Sequence, residues 1–132
     1  MSGAEPTLIA SPIAEWLGFS MEETDQGALY RLSFDEKHIG NPMIRALHGG
    51  VIAAFLEFCS QCALAAKLEP GATLKTVNVD IDYLASSRAQ DMTARATILR
   101  LGRRIAFVEA TGWQEDEARP VAKARCRLRI GE

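Results

Sequence analysis

The sequence predicts an α+β fold, a long buried helix beside an antiparallel sheet, from three observations. The run Val51 to Ala66 has helix length and carries Glu57 as its one formal charge. Beyond Gly71 the chain turns to alternating apolar and polar residues in stretches spaced for hairpins. Its 132 residues suit one domain with one core. One helix followed by consecutive antiparallel strands is the α+β arrangement.

The elements follow in order. Residues 1–10 read as a flexible arm at the start of a single domain spanning 1–132. Ser11-Pro12 starts a short amphipathic helix that stops at Gly18. Gly27 to Phe34 alternates and is a strand. Asp35 to Leu47 has no period, contains Gly40 and Pro42, and reads as a loop. The central helix follows and ends near Leu68, before Pro70-Gly71. Four strands complete the chain: Lys75 to Leu84, Met92 to Leu101, Arg103 to Trp113 and Val121 to Ile130. In the first of them Val77, Val79, Ile81 and Tyr83 fall on one face, and Thr76, Asn78, Asp80 and Asp82 on the other. The helix is apolar nearly all round, so a curved sheet must wrap it.

Composition excludes several classes. Charged residues make up 24 % and the net charge is −2, which gives no pull toward nucleic acid or anionic membrane. The 16-residue run Val51–Ala66 is shorter than the roughly 20 residues a membrane span needs. No basic segment precedes an apolar run at the start, so no secretory signal is expected. Cys59, Cys62 and Cys126 read as reduced core residues, which points to the cytoplasm. With two histidines and no ligand-spaced cluster, no metal and no cofactor is expected.

Function concentrates between Asn41 and Lys67. At about 100° per residue, Gly50, Ala53, Ala54 and Gln61 fall within about 60° of Glu57. Small residues around a carboxylate leave room for a ligand or another backbone. The helix opens at His48-Gly49-Gly50. Its first amides have no internal partner, and the dipole puts partial positive charge there. Such a corner can hold the oxyanion formed when an acyl carbonyl is attacked; it can also be only a tight turn. Gly49 and Glu57 lie eight residues apart, about 12 Å along one helix. A base and an oxyanion donor must converge on one carbonyl. If both act, Glu57 must meet the Gly49 corner of a second subunit across a two-fold axis.

The segment HIGNPMIRALHGGVIAAFLE, His38 to Glu57, resembles the hotdog-fold acyl-CoA thioesterases, in the branch that includes phenylacetyl-CoA thioesterases. These carry an HGG corner with an acid nine positions after the His, as His48 and Glu57 do. Thr76 to Leu84 resembles their strand ending in YL-x-P, and Leu101 to Glu109 their GR-x-x-x-x-x-E strand. The resemblance covers nearly all of the chain after about residue 10.

It implies a curved sheet wrapped around the helix and hydrolysis of an acyl-CoA to a free acid and CoA. Gly49 would give its N–H to the thioester oxygen, with Gly50 beside it in the substrate corner. Glu57 of a partner subunit would act as general base or nucleophile. His48 would support the loop, Thr76 would position water, and Gln61 stands where several members have Ser or Thr. The Asn or Gln that members carry six residues before the His is replaced by Pro42, with Asn41 one position earlier. Ser86-Ser87 replaces the Pro after YL. Arg88 and Arg103 are the expected partners of CoA phosphates. The expected assembly is a homodimer, and a dimer of dimers beyond it. Two alternatives stand beside hydrolysis: a hotdog enoyl or hydroxyacyl thioester hydratase-dehydratase, and a non-catalytic acyl-CoA-binding module.

Overall fold

A computed structural model describes residues 5–131. Helix α1 (Glu5–Ile9) and helix α2 (Pro12–Leu17) precede strand β1 (Phe19–Thr24) and strand β2 (Gly27–Leu32). A 3-10 turn (Glu36–His38) leads to the short β3 (Ile39–Asn41) and β4 (Ala46–Leu47). Helix α3 (Gly49–Ala65) follows, then β5 (Thr73–Tyr83), β6 (Met92–Leu101), β7 (Ile105–Trp113) and β8 (Ala122–Gly131). Six strands form an antiparallel sheet in the order β1-β2-β6-β7-β8-β5, and β3 pairs with β4. The sheet packs against α3, the hotdog architecture.

The core lies between α3 and the inner face of the sheet. Phe55, Leu56, Cys59 and Leu64 of the helix are fully buried against Met92, Ala106, Val108, Ala124 and Leu128. The alanines on β7 and β8 let the helix come close. All three cysteines are free and buried, and burial pushes the thiols of Cys59 and Cys126 up.

The structure corrects five readings. The arm expected over residues 1–10 is helical from Glu5 to Ile9, and residues 1–4 lie outside the described residues. β1 was not expected: it is mostly polar, and Phe19 and Met21 alone face inward. The loop from Asp35 to Leu47 holds the 3-10 turn and the β3–β4 ladder. His38 fixes that turn, because its ring accepts from Asp35 N–H (3.1 Å) and donates to Trp16 O (3.0 Å). α3 ends at Ala65, three residues early, where single-turn bonds from Lys67 and Leu68 take over. The fifth concerns β5, where a bulge between Thr76 and Asn78 breaks the alternation. Thr76 stands opposite the buried Leu128, and Val79 opposite the buried Cys126. Thr76 therefore shares the helix-side face with Val79, Ile81 and Tyr83, while Val77 is exposed.

β5 is an edge of the sheet. Beside it the helix stripe Ala53, Ala54, Glu57 and Gln61 is only half buried. This open side carries the residues that the sequence singles out.

Candidate active site

The corner at the start of α3 is built by hydrogen bonds from four directions. Leu47 N–H donates to Ser87 Oγ at 3.0 Å, and His48 N–H to His38 O at 2.8 Å. His48 is the helix N-cap, and its Nδ1 accepts from Gly50 N–H at 2.8 Å. Val51 and Ile52 both donate to His48 O. From Leu47 to Ile52, the Gly49 amide is left without an acceptor among the described residues. A free amide at a helix start is where an oxyanion would be held.

Two close approaches shape this corner. A Cβ on Gly40 would stand 2.6 Å from His48 Cα, so β3 reaches the corner only without a side chain. A Cβ on Gly49 would stand 3.3 Å from the Tyr83 hydroxyl. That hydroxyl donates to Gly49 O at 2.7 Å.

Glu57 is further along the same helix. Gln61, one turn on, donates through Nε2 to Glu57 Oε2 at 3.3 Å and to Thr76 Oγ1 at 3.0 Å. Glu57, Gln61 and Thr76 thus form one half-buried cluster. The bulge in β5 makes it, since regular alternation would send Thr76 to the other side of the sheet. Glu57 and Gly49 remain at separate places along one helix, about 12 Å apart by its rise.

The other expected residues lie apart from these two groups. Asn41 is exposed, and its Oδ1 accepts from Met43 N–H at 3.0 Å, so it closes its own turn. That turn carries the exposed Met43 and Ile44 and ends at Arg45, a non-glycine residue at φ 49°. A two-pronged bond from Arg45 to Glu36 (2.9 and 2.7 Å) braces it and holds the Glu36 carboxyl below its usual range.

Arg88 and Arg103 lie at opposite ends of β7, which at about 3.4 Å per residue puts roughly 30 Å between them. Arg88 is pinned by Gln114, through its N–H and carbonyl, and lies 3.6 Å from Glu115. Arg103 joins Arg104 and Arg129 in lining a cleft of about 520 Å³, also bounded by Ile130 and Gly131. The basic row of β8 divides in the same way. Lys123 and Arg125 pair with Glu109 (3.9 and 3.1 Å), whereas Arg127 and Arg129 have no ion pair among the described residues.

Two residues of the corner were not singled out from sequence, Tyr83 and Ser87. Tyr83 looks like one more apolar member of an alternating strand. Ser87 stood in the sequence only as half of the Ser86-Ser87 pair after Tyr83-Leu84, with nothing to tell that its hydroxyl turns back to Leu47 N–H.

Residues 45–121 match the model of the thioesterase superfamily. A Haemophilus influenzae protein provisionally named an esterase is 34 % identical over 84 residues, 64 % of this chain and 57 % of its own. The match thus spans little more than half the length of that relative. A solved structure of a protein from the thioesterase superfamily superposes with a TM-score of 0.84 at 28 % identity, covering 97 % of this chain and 95 % of the other. A Bacillus halodurans protein crystallised with CoA superposes with a TM-score of 0.83 at 21 % identity, over 93 % and 80 % of the two chains.

Proposed function

The chain belongs to the thioesterase superfamily, and on that premise we propose that it hydrolyses an acyl-CoA thioester to a carboxylic acid and CoA. The observation that carries this reading is the Gly49 amide, the corner donor without an acceptor among the described residues. The CoA in the Bacillus halodurans structure supports CoA as the thiol carrier.

The reaction needs a held oxyanion and a base or nucleophile at one carbonyl. Gly49 N–H takes the thioester oxygen, with Gly50 free of a Cβ beside it. Glu57 of the partner subunit activates water or attacks the carbonyl itself. Gln61 steadies one oxygen of that carboxylate. Thr76, which accepts from Gln61, keeps its own proton to donate to the water. His48 fixes the corner through Gly50, a supporting role. Thiolate departure needs no metal or redox cofactor.

A homodimer, and a dimer of dimers built from it, fits the open side of β5 and α3. For the CoA phosphates, Arg103 with Arg104 and Arg129 is favoured over Arg88, because three guanidiniums share one cleft with no carboxylate among the described lining residues. Asn41, whose side chain closes its own turn, takes no step in this reading. No described helix is long and apolar enough to cross a membrane, and cytoplasmic action on soluble acyl-CoA is part of the proposal.

The test is thiol release from a panel of acyl-CoAs by wild type and Glu57→Ala. Wild type should turn over at least one, and the variant should lose about 10²- to 10⁴-fold while keeping its circular dichroism. Near-normal turnover by Glu57→Ala would sink the assignment. CoA binding without thiol release would favour a binding module, and loss of enoyl absorbance without thiol a hydratase.

A further inference from the structure

The peptide plane between Gly49 and Gly50 is held at both ends. Its oxygen, Gly49 O, accepts from the Tyr83 hydroxyl at 2.7 Å. Its hydrogen, on Gly50 N, goes to His48 Nδ1 at 2.8 Å. A plane flanked by two glycines is the least restricted in any chain. Yet a corner that lets a ligand approach its backbone must have glycines. The two side chains restore the rigidity that the glycines give up.

Tyr83 is placed for this by β5. It stands opposite the fully buried Ala122, so its ring leaves the strand on the helix side of the sheet. The ring then lies over Gly49, 3.5 Å from the space of a Cβ at its Cζ and 3.3 Å at its hydroxyl. The other end of β5 is tied to the same helix through Thr76 and Gln61. One strand thereby fixes both chemical groups of α3, the corner at one end and the carboxylate cluster at the other.

We propose that Tyr83 is a positioning residue for the oxyanion donor: its hydroxyl locks the Gly49–Gly50 plane, the adjoining His48–Gly49 plane that carries the Gly49 N–H is held at its oxygen by Val51 and Ile52, and with both planes held Gly49 cannot swing. The inference rests on the hydrolase reading above. Tyr83 touches no reacting atom in it and exchanges no proton. Its contribution is to direction alone. Losing one oxyanion donor outright costs about 10²- to 10³-fold in kcat, and a donor left in place but free to swing costs part of that.

The experiment compares wild type with Tyr83→Phe and Tyr83→Leu. Tyr83→Phe keeps the ring against Gly49 and removes one hydrogen bond. Its kcat should fall about tenfold with KM within about twofold, the pattern of an interaction that matters only in the transition state. Tyr83→Leu should fall further. Both are also made with ¹³C,¹⁵N-glycine, and the Gly49 carbonyl and the Gly49 and Gly50 amide resonances should move in Tyr83→Phe. Wild-type kcat in Tyr83→Phe overturns the proposal, as does an unmoved Gly49 carbonyl resonance. A rise in KM with kcat unchanged also overturns it, since that marks a binding contact. If wild type itself releases no thiol from any acyl-CoA, the hydrolase reading fails on its own. The resonances then still decide whether Tyr83 holds the corner.

Discussion

Gly40 shows how tightly the corner is specified at the scale of one residue. A methyl there would lie 2.6 Å from His48 Cα and 2.8 Å from His48 Cβ. Both atoms belong to the N-cap residue, so neither can swing aside as a long side chain would. We expect Gly40→Ala to cost about 1–3 kcal/mol, the usual penalty of overpacking, read from urea denaturation. Unchanged stability would mean that β3 yields freely and that Gly40 is not a constraint. The cysteines give a second residue-scale expectation. Burial keeps the Cys59 and Cys126 thiols protonated well into the alkaline range of free cysteine. At pH 8 the folded protein should therefore give almost no thiol signal with a disulfide reagent, and unfolding should release all three. An early signal from the folded chain would refute the inert-core reading. It would also complicate any thiol-release assay, which depends on the enzyme being silent.

At the scale of elements, the bulge at Val77 decides whether there is a carboxylate cluster at all. Val77 is the extra residue there: paired in regular register, it would turn everything before it in β5 to the other face, taking Leu74 out of the core and Thr76 away from Gln61. Deleting it removes the bulge and leaves Leu74 and Thr76 on the helix side, in strict alternation with Val79. The deletion should therefore keep stability within about 1 kcal/mol by urea denaturation. A loss of about 1.5–3 kcal/mol, the worth of a buried leucine, would mean that the face before the bulge had turned. This also explains which elements were legible in the sequence. α3 follows from the length of an apolar run and the four long strands from hydrophobic period, and Glu57 stood out as the one formal charge in that run. The bulge left no trace, because Thr76 to Tyr83 alternates without a break. β1 was illegible because its segment is mostly polar and has one firm anchor. Phe19 meets Phe58 at 4.7 Å and Tyr30 at 5.7 Å, contacts that only the folded chain creates. Gly49 could be suspected from the HGG corner. That its amide is the free one depends on acceptors from His38, Ser87 and His48, distant in sequence or set by rotamer.

At the scale of the whole molecule, the two halves of the chemistry lie on one helix yet apart, which makes assembly a question about catalysis. β5 is an edge strand that pairs with β8 alone among the described strands, with Val77 and Tyr83 exposed at 51 % and 54 %. Beside it runs the half-buried stripe of Ala53, Ala54, Glu57 and Gln61. Edges of this kind are normally covered, and a two-fold partner would cover this one while bringing each Gly49 to the other chain's Glu57. Mixing tests this without a structure of the complex. Glu57→Ala lacks the carboxylate. Gly49→Pro lacks the amide hydrogen at the first helical position, where proline is tolerated, and the His48 ψ of 132° suits a residue before proline. Each homodimer should be inactive and each should keep its helix signal by circular dichroism. When the two are refolded together, half of the dimers pair one chain of each kind. In those, one of the two sites has both an intact Gly49 and an intact Glu57. The mixture should therefore recover about a quarter of wild-type turnover. If every site lay within one chain, each chain would still be missing one group, and mixing would recover nothing.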